Sequence, residues 1–91
     1  MKTFKNKVAL ITGAASGMGK YLAINLAIEG ADVIICDIDE TGLSETEEEI
    51  KNYNVGLSKI ILDVRNKNEV EALPSKIIEN HGKIDLVFNN A

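Results

Sequence analysis

Four runs rich in apolar residues, at 8–11, 33–36, 59–62 and 84–88, divide the chain, and each breaks off at polar residues. Apolar character sustained over four residues marks a strand covered on both faces, because a strand with one wet face alternates. Between these runs lie three stretches in which apolar residues recur at the helical spacing. In the first, Leu22, Ala23, Leu26, Ala27 and Ile28 precede Gly30, a residue suited to the left-handed turn that closes a helix. Its packed side is made of small residues, so it can lie close against a sheet. The second carries Leu43, Ile50 and Tyr53, with Ser44 and Glu47 spaced as a capping box. Its run Glu45, Glu47, Glu48 and Glu49 reads as a solvated face whose charge suits the start of a helix. The third carries Val70, Leu73, Ile77 and Ile78 between a capping pair, Asn66 and Glu69, and a closing His81-Gly82 in which the histidine is a capping or surface residue. Pro74 falls inside that helix, which predicts a kink or a late start.

The order β-α-β-α-β-α-β requires right-handed crossovers and a parallel sheet with helices on both faces. The fold class is therefore α/β, in one domain over residues 1–91. Composition agrees with a globular chain, at 45% hydrophobic and 26% charged residues. A net charge of −4 without any basic stripe disfavours nucleic acid as a partner. Lys2, Lys5 and Lys7 ahead of an apolar run resemble a signal peptide, but Thr12 and Gly13 end that run too soon, and no stretch is long enough to span a membrane. The single cysteine, Cys36, has no intrachain disulfide partner and reads as a small hydrophobe within a strand, as expected for a cytoplasmic protein. No metal site is indicated.

Candidate chemistry begins at Thr12, where strand one gives way to a loop crowded with glycine and alanine. The triphosphate loop G-x-x-x-x-G-K-[ST] fails, because Ala14 stands where its first glycine should be and Tyr21 replaces the hydroxyl. The form G-x-G-x-x-G fails at Leu22. The spacing T-G-x-x-x-G-x-G is satisfied by Thr12, Gly13, Gly17 and Gly19. Gly13 permits a sharp exit from the strand, Gly17 lets a pyrophosphate approach the main chain, and Gly19 allows close packing of the helix whose leading amides face the charge. Ser16 adds a hydroxyl. Asp37 follows Gly19 by 18 positions, at the end of strand two, where a dinucleotide fold places the acid that accepts hydrogen bonds from the adenosine ribose. Asp63-Val64 and Asn89-Asn90-Ala91 end strands three and four, so every candidate falls on the carboxyl edge of the sheet.

These pieces, Thr12-Gly13-Ala14-Ala15-Ser16-Gly17-Met18-Gly19, Asp37, Asp63-Val64 and Asn89-Asn90-Ala91, resemble the short-chain dehydrogenase/reductase family along the whole chain. The last resembles that family's N-N-A-G one residue short, and Met18 stands where isoleucine is commoner. The resemblance implies a Rossmann-type doubly wound sheet with strands ordered 3-2-1-4, and an oxidoreductase that exchanges hydride between a nicotinamide cofactor and an alcohol or carbonyl substrate. It implies that Gly13, Ala15, Ser16, Gly17, Met18 and Gly19 hold the pyrophosphate, and that Asp37 and Ile38 lie at the ribose. Asp63 is implied at the adenine with Val64 packing nearby, and Asn89, Asn90 and Ala91 line the cleft. An ionised Asp37 repels a 2′-phosphate, and neither Ser16 nor Ile38 supplies a cation to neutralise one, so the expected cofactor is NAD rather than NADP.

The family's proton-transfer tyrosine is followed four residues later by lysine. Here Tyr21 is followed by Asn25 and Tyr53 by Leu57, so no such pair exists, and no catalytic residue is assigned. The chain therefore reads as the cofactor-binding portion of such an enzyme, truncated after strand four and inactive alone. A genuinely short, non-catalytic module for a dinucleotide or adenosine ligand, and a degenerate fragment, are the alternatives. A complete relative is expected to be a homo-oligomer. The run Leu86-Val87-Phe88 is expected to form an apolar sheet edge prone to association.

Overall fold

A computed structural model describes residues 3–90, which form a four-stranded parallel sheet with three helices. The elements alternate as β1 (Val8–Thr12), α1 (Gly17–Ile28), β2 (Asp32–Asp37), α2 (Glu40–Ile50), β3 (Leu57–Ile61), α3 (Lys67–His81) and β4 (Leu86–Asn89). Strand order is β3-β2-β1-β4, as the resemblance implies. Central β1 sets Thr12 beside Cys36 of β2 on one flank and Asn89 of β4 on the other.

The apolar runs are explained by two cores, one on each face of the sheet. Ala9, Ile11, Val33 and Ile35 point to one side, where they meet Ala23, Leu26 and Ala27 of α1 and Leu43 and Ile50 of α2. Val8, Leu10, Ile34 and Cys36 point to the other, against Leu73 and Ile77 of α3 and Leu62. Alternate residues thus serve opposite cores, and neither set meets water. Full burial of each Ile or Leu stabilises by about 1.5–3 kcal/mol relative to exposure. The outer strands are less covered, and β4 bonds to β1 alone.

Several local expectations change. The cap of α2 is Asp39, whose Oδ1 accepts from the Gly42 amide at 3.0 Å, and Ser44 lies within the helix, accepting from Lys59 Nζ at 3.1 Å. Two residues of capping chemistry compete here, and the one at the exit of β2 prevails because it gains an extra turn of helix. Tyr53 lies beyond the end of α2, its amide bonded to the Ile50 carbonyl and its ring packed on the first core. The acidic face is only partly solvated, since Glu47 is half-buried and pairs with Lys59 at 3.2 Å. Helix α3 starts at Lys67 rather than late, because Asn66 Oδ1 accepts from the Glu69 amide at 3.1 Å and so fixes the first turn. Pro74 stays inside it on the exposed side. The carbonyl it cannot serve with an N–H, one turn earlier, belongs to Val70, itself an exposed residue. Gly30 and Gly82 take the left-handed conformation that closes α1 and α3, at φ 95° and 82°.

Candidate functional site

The carboxyl ends of all four strands meet at one edge, and the loop 13–16 crosses it between β1 and α1. Its exit from β1 is fixed by two neighbours. Thr12 Oγ1 donates to Asn89 Oδ1 at 2.7 Å and accepts from the Asn90 amide at 3.2 Å, tying the ends of β1 and β4 together. Gly13 then turns with φ at +67°, and a Cβ there would lie 2.6 Å from the Asn90 carbonyl oxygen, so no side chain fits. Gly19 is equally constrained, but by the loop itself, since its Cβ would fall 2.0 Å from the Gly13 carbonyl oxygen. The first turn of α1 folds directly onto the backbone it follows.

The back of the loop is anchored by β2 and α2. The Ala14 amide donates to the Cys36 carbonyl at 3.1 Å and the Ala15 amide to Asp37 Oδ2 at 3.0 Å. From α2, the fully buried Thr46 hydroxyl donates to the Ala14 carbonyl at 2.8 Å and lies 3.3 Å from the Gly42 carbonyl. Ala14 and Ala15 are buried, whereas Ser16, Gly17 and Met18 are exposed. The leading amides of a helix have no carbonyl a turn earlier to bond. In α2 and α3 the side chains of Asp39 and Asn66 meet that need, but Ser16, the cap of α1, makes no side-chain bond to its helix, and no acid stands in the first turn. Among the described helices, α1 alone leaves its positive end without a side-chain cap.

That end opens onto a cleft of about 410 Å³ lined by Gly13, Ser16, Met18, Gly19, Asp37, Ile38, Leu62, Asp63, Val64, Arg65 and Asn90. The structure thus brings together nine of the positions singled out from the sequence. Gly17 lies between two wall residues, with open space where its Cβ would project. Ala15 lies behind the cleft, its amide committed to Asp37, and Asn89 serves Thr12. Ala91 lies outside the described residues.

Two carboxylates face the cleft in different states. Each oxygen of Asp37 accepts one backbone amide, Oδ2 from Ala15 and Oδ1 from Asp39, both at 3.0 Å. An ionised carboxylate has about four acceptor positions, so room for two further donors remains. Asp63 is paired: its Oδ1 accepts from the Arg65 amide at 2.9 Å and Nε at 3.1 Å, and its Oδ2 from Nη2 at 3.0 Å. The side-chain and backbone donors of Arg65 hold the Asp63 carboxyl below its usual range, and Asp63 in turn raises the guanidinium.

Sequence reasoning passed over two residues that build this site and one that fastens the opposite edge of the sheet. Arg65 belongs to no motif, and reaches the cleft only because residues 63–65 turn back on themselves. Thr46 reads as an ordinary helical residue; its one signal was a hydroxyl on the buried stripe with Leu43 and Ile50. Asp85, whose Oδ2 accepts from the Val8 amide at 2.8 Å, holds the start of β1 beside β4 at the opposite edge. That bond, followed by Lys83, lowers its carboxyl.

A family model described as short chain dehydrogenase matches residues 7–91. The chain is 38% identical over 91 residues to the CLA biosynthesis dehydrogenase/reductase of Lactiplantibacillus plantarum, covering all of this chain and 32% of that protein. It is 36% identical over 87 residues to the FabG reductase of Thermotoga maritima, covering 96% of this chain and 35% of that one. Among solved structures, carveol dehydrogenase from Mycobacterium avium in complex with NAD matches at a TM-score of 0.93 and 30% identity, over 100% of this chain and 37% of that one. The chain spans about a third of the length of the curated relatives it matches.

Proposed function

The chain belongs to the short chain dehydrogenase family, a family that binds nicotinamide cofactors, and from that premise we propose that its cleft holds NAD in preference to NADP. One observation carries the reading: the uncapped start of α1 and the Asp37 carboxylate face the same cleft. The pyrophosphate belongs at Gly13, Ser16, Gly17, Met18 and Gly19, where leading amides and a free hydroxyl supply donors to an anion. The adenosine ribose belongs at Asp37 and Ile38, its two hydroxyls donating to the carboxylate positions the backbone leaves open. Adenine belongs beside Asp63 and Val64, and Asn90 borders the cleft while Asn89 holds its neighbour in place.

When bound, the cofactor supplies hydride transfer with an alcohol or carbonyl compound. The residues of this chain bind and orient it. The sequence offers no Tyr-x-x-x-Lys for proton transfer, so we assign no catalytic residue and place this segment as the cofactor-binding part of an oxidoreductase.

Specificity follows from charge. A 2′-phosphate would meet the Asp37 carboxylate at close range, and the cation in the wall, Arg65, is already neutralised by Asp63. Titrating NADH and NADPH into the protein and following cofactor fluorescence tests this. We expect NADH to bind at least about tenfold more tightly, roughly 1.4 kcal/mol, and Asp37→Ala to narrow the gap. Equal or tighter NADPH binding overturns the preference; absence of binding by either overturns the reading.

A further inference from the structure

We propose that Arg65 is a base-contacting residue of the cleft, offering the flat face of its guanidinium to the adenine ring. The inference rests on the dinucleotide reading above and adds to it a contact that the glycine loop and the strand-end acids do not provide. Arg65 lies in the cleft wall next to Leu62 and Val64, with Ile38 in the same wall, and both Ile38 and Val64 are exposed aliphatic surfaces. That end of the cleft suits a flat apolar ring better than a phosphate, whereas the donors of the α1 end suit the reverse.

The bonding of Arg65 decides what it can give a ligand. Its Nε and Nη2 both point at Asp63, so one of the two guanidinium edges that could grip a phosphate is occupied and its charge is balanced. Both faces of the plane remain open beside the aliphatic wall, and a guanidinium plane stacks on aromatic rings by cation–π and dispersion attraction. The Arg65 backbone amide donates to the same carboxylate, so main chain and side chain converge on one partner. A side chain that is 82% exposed is thus tethered without being covered. Stacking therefore requires little further ordering of a long side chain.

The test uses ADP, which carries the base, ribose and pyrophosphate but no nicotinamide, titrated calorimetrically into the wild-type protein, Arg65→Ala and Arg65→Lys. A stacking contact at a partly exposed site is expected to weaken ADP binding about two- to fivefold in the alanine variant. Lysine, which keeps the charge but lacks the plane, should be equally weak, with unfolding midpoints of all three proteins unchanged. If lysine restores wild-type affinity, Arg65 acts as a phosphate-directed charge and the proposal is overturned. If alanine binds ADP as well as wild type does, Arg65 does not touch the ligand, and the proposal fails while the dinucleotide reading stands. Failure of the wild-type protein to bind ADP would remove the dinucleotide reading and this inference together.

Discussion

Cys36 shows how a single side chain makes the fold sensitive to its surroundings. It sits in the second core on β2, and burial, with the neighbouring Asp37 carboxylate adding to it, pushes its thiol from 9.0 up to about 12. Between those values the unfolded chain has lost a proton that the folded chain keeps, so unfolding becomes easier as pH rises. The stabilisation is complete below about pH 9 and disappears as pH approaches 12. Denaturant titrations from pH 8 to pH 11 should show stability falling by at most about 1.4 kcal/mol per pH unit, with Cys36→Ala removing that slope; an identical slope in the variant would assign it elsewhere. The buried role of Cys36 was legible from its place in an apolar run. Asp37 was legible too, because a strand end fixes where its carboxylate goes. Arg65 was not, since the 63–65 turn that brings its guanidinium to Asp63 depends on two side-chain bonds and one amide rather than on any residue pattern.

At the scale of elements, α2 does more than cross from β2 to β3. Its Thr46 hydroxyl reaches the Ala14 carbonyl, and a Cβ on its Gly42 would fall 2.9 Å from the Ala15 carbonyl oxygen, so the helix braces the 13–16 loop from behind. Thr46→Val keeps the shape but leaves the Ala14 carbonyl without that donor, at a cost of about 1–3 kcal/mol. Thr46→Ser should retain most of the stability. Thermal unfolding and NADH titration of the two variants check this, and a valine variant as stable and as tightly binding as wild type would show the brace to be dispensable. The succession of strands and helices was readable because covered strands and helical stripes have different periods. The helix starts were readable only in part: Asn66 with Glu69 marked the start of α3, whereas Ser44 with Glu47 read as the cap of α2 and Asp39, one turn earlier, holds that place. The course of α3 through Pro74 was likewise unreadable, since it depends on that side of the helix facing water.

For the whole molecule, the two faces and two edges are unequally finished. Beside α3, the residues Leu10, Leu62, Val70, Leu73, Ile84 and Val87 line an apolar groove of about 310 Å³, and β4 beyond it has hydrogen-bonding partners on one side only. Val87 at that edge is 61% exposed. An open strand with apolar side chains pairs readily with another chain. This chain is therefore expected to self-associate in sedimentation velocity at micromolar concentration, and Val87→Lys should shift it towards monomer; a wild-type chain that stays monomeric would count against the edge as the cause. The fold class and strand order were legible here, but the groove was not, because it arises from three elements that leave a gap where they meet. The stitch between Thr12 and Asn89 joins residues 77 positions apart. Such a contact closes every element from β1 to β4 into one loop, so its entropy must be surrendered before the bond offers any return. A nascent chain leaving the ribosome thus carries Gly13 exposed from the outset, yet the turn that makes this glycine useful is set only when Asn89 and Asn90 arrive.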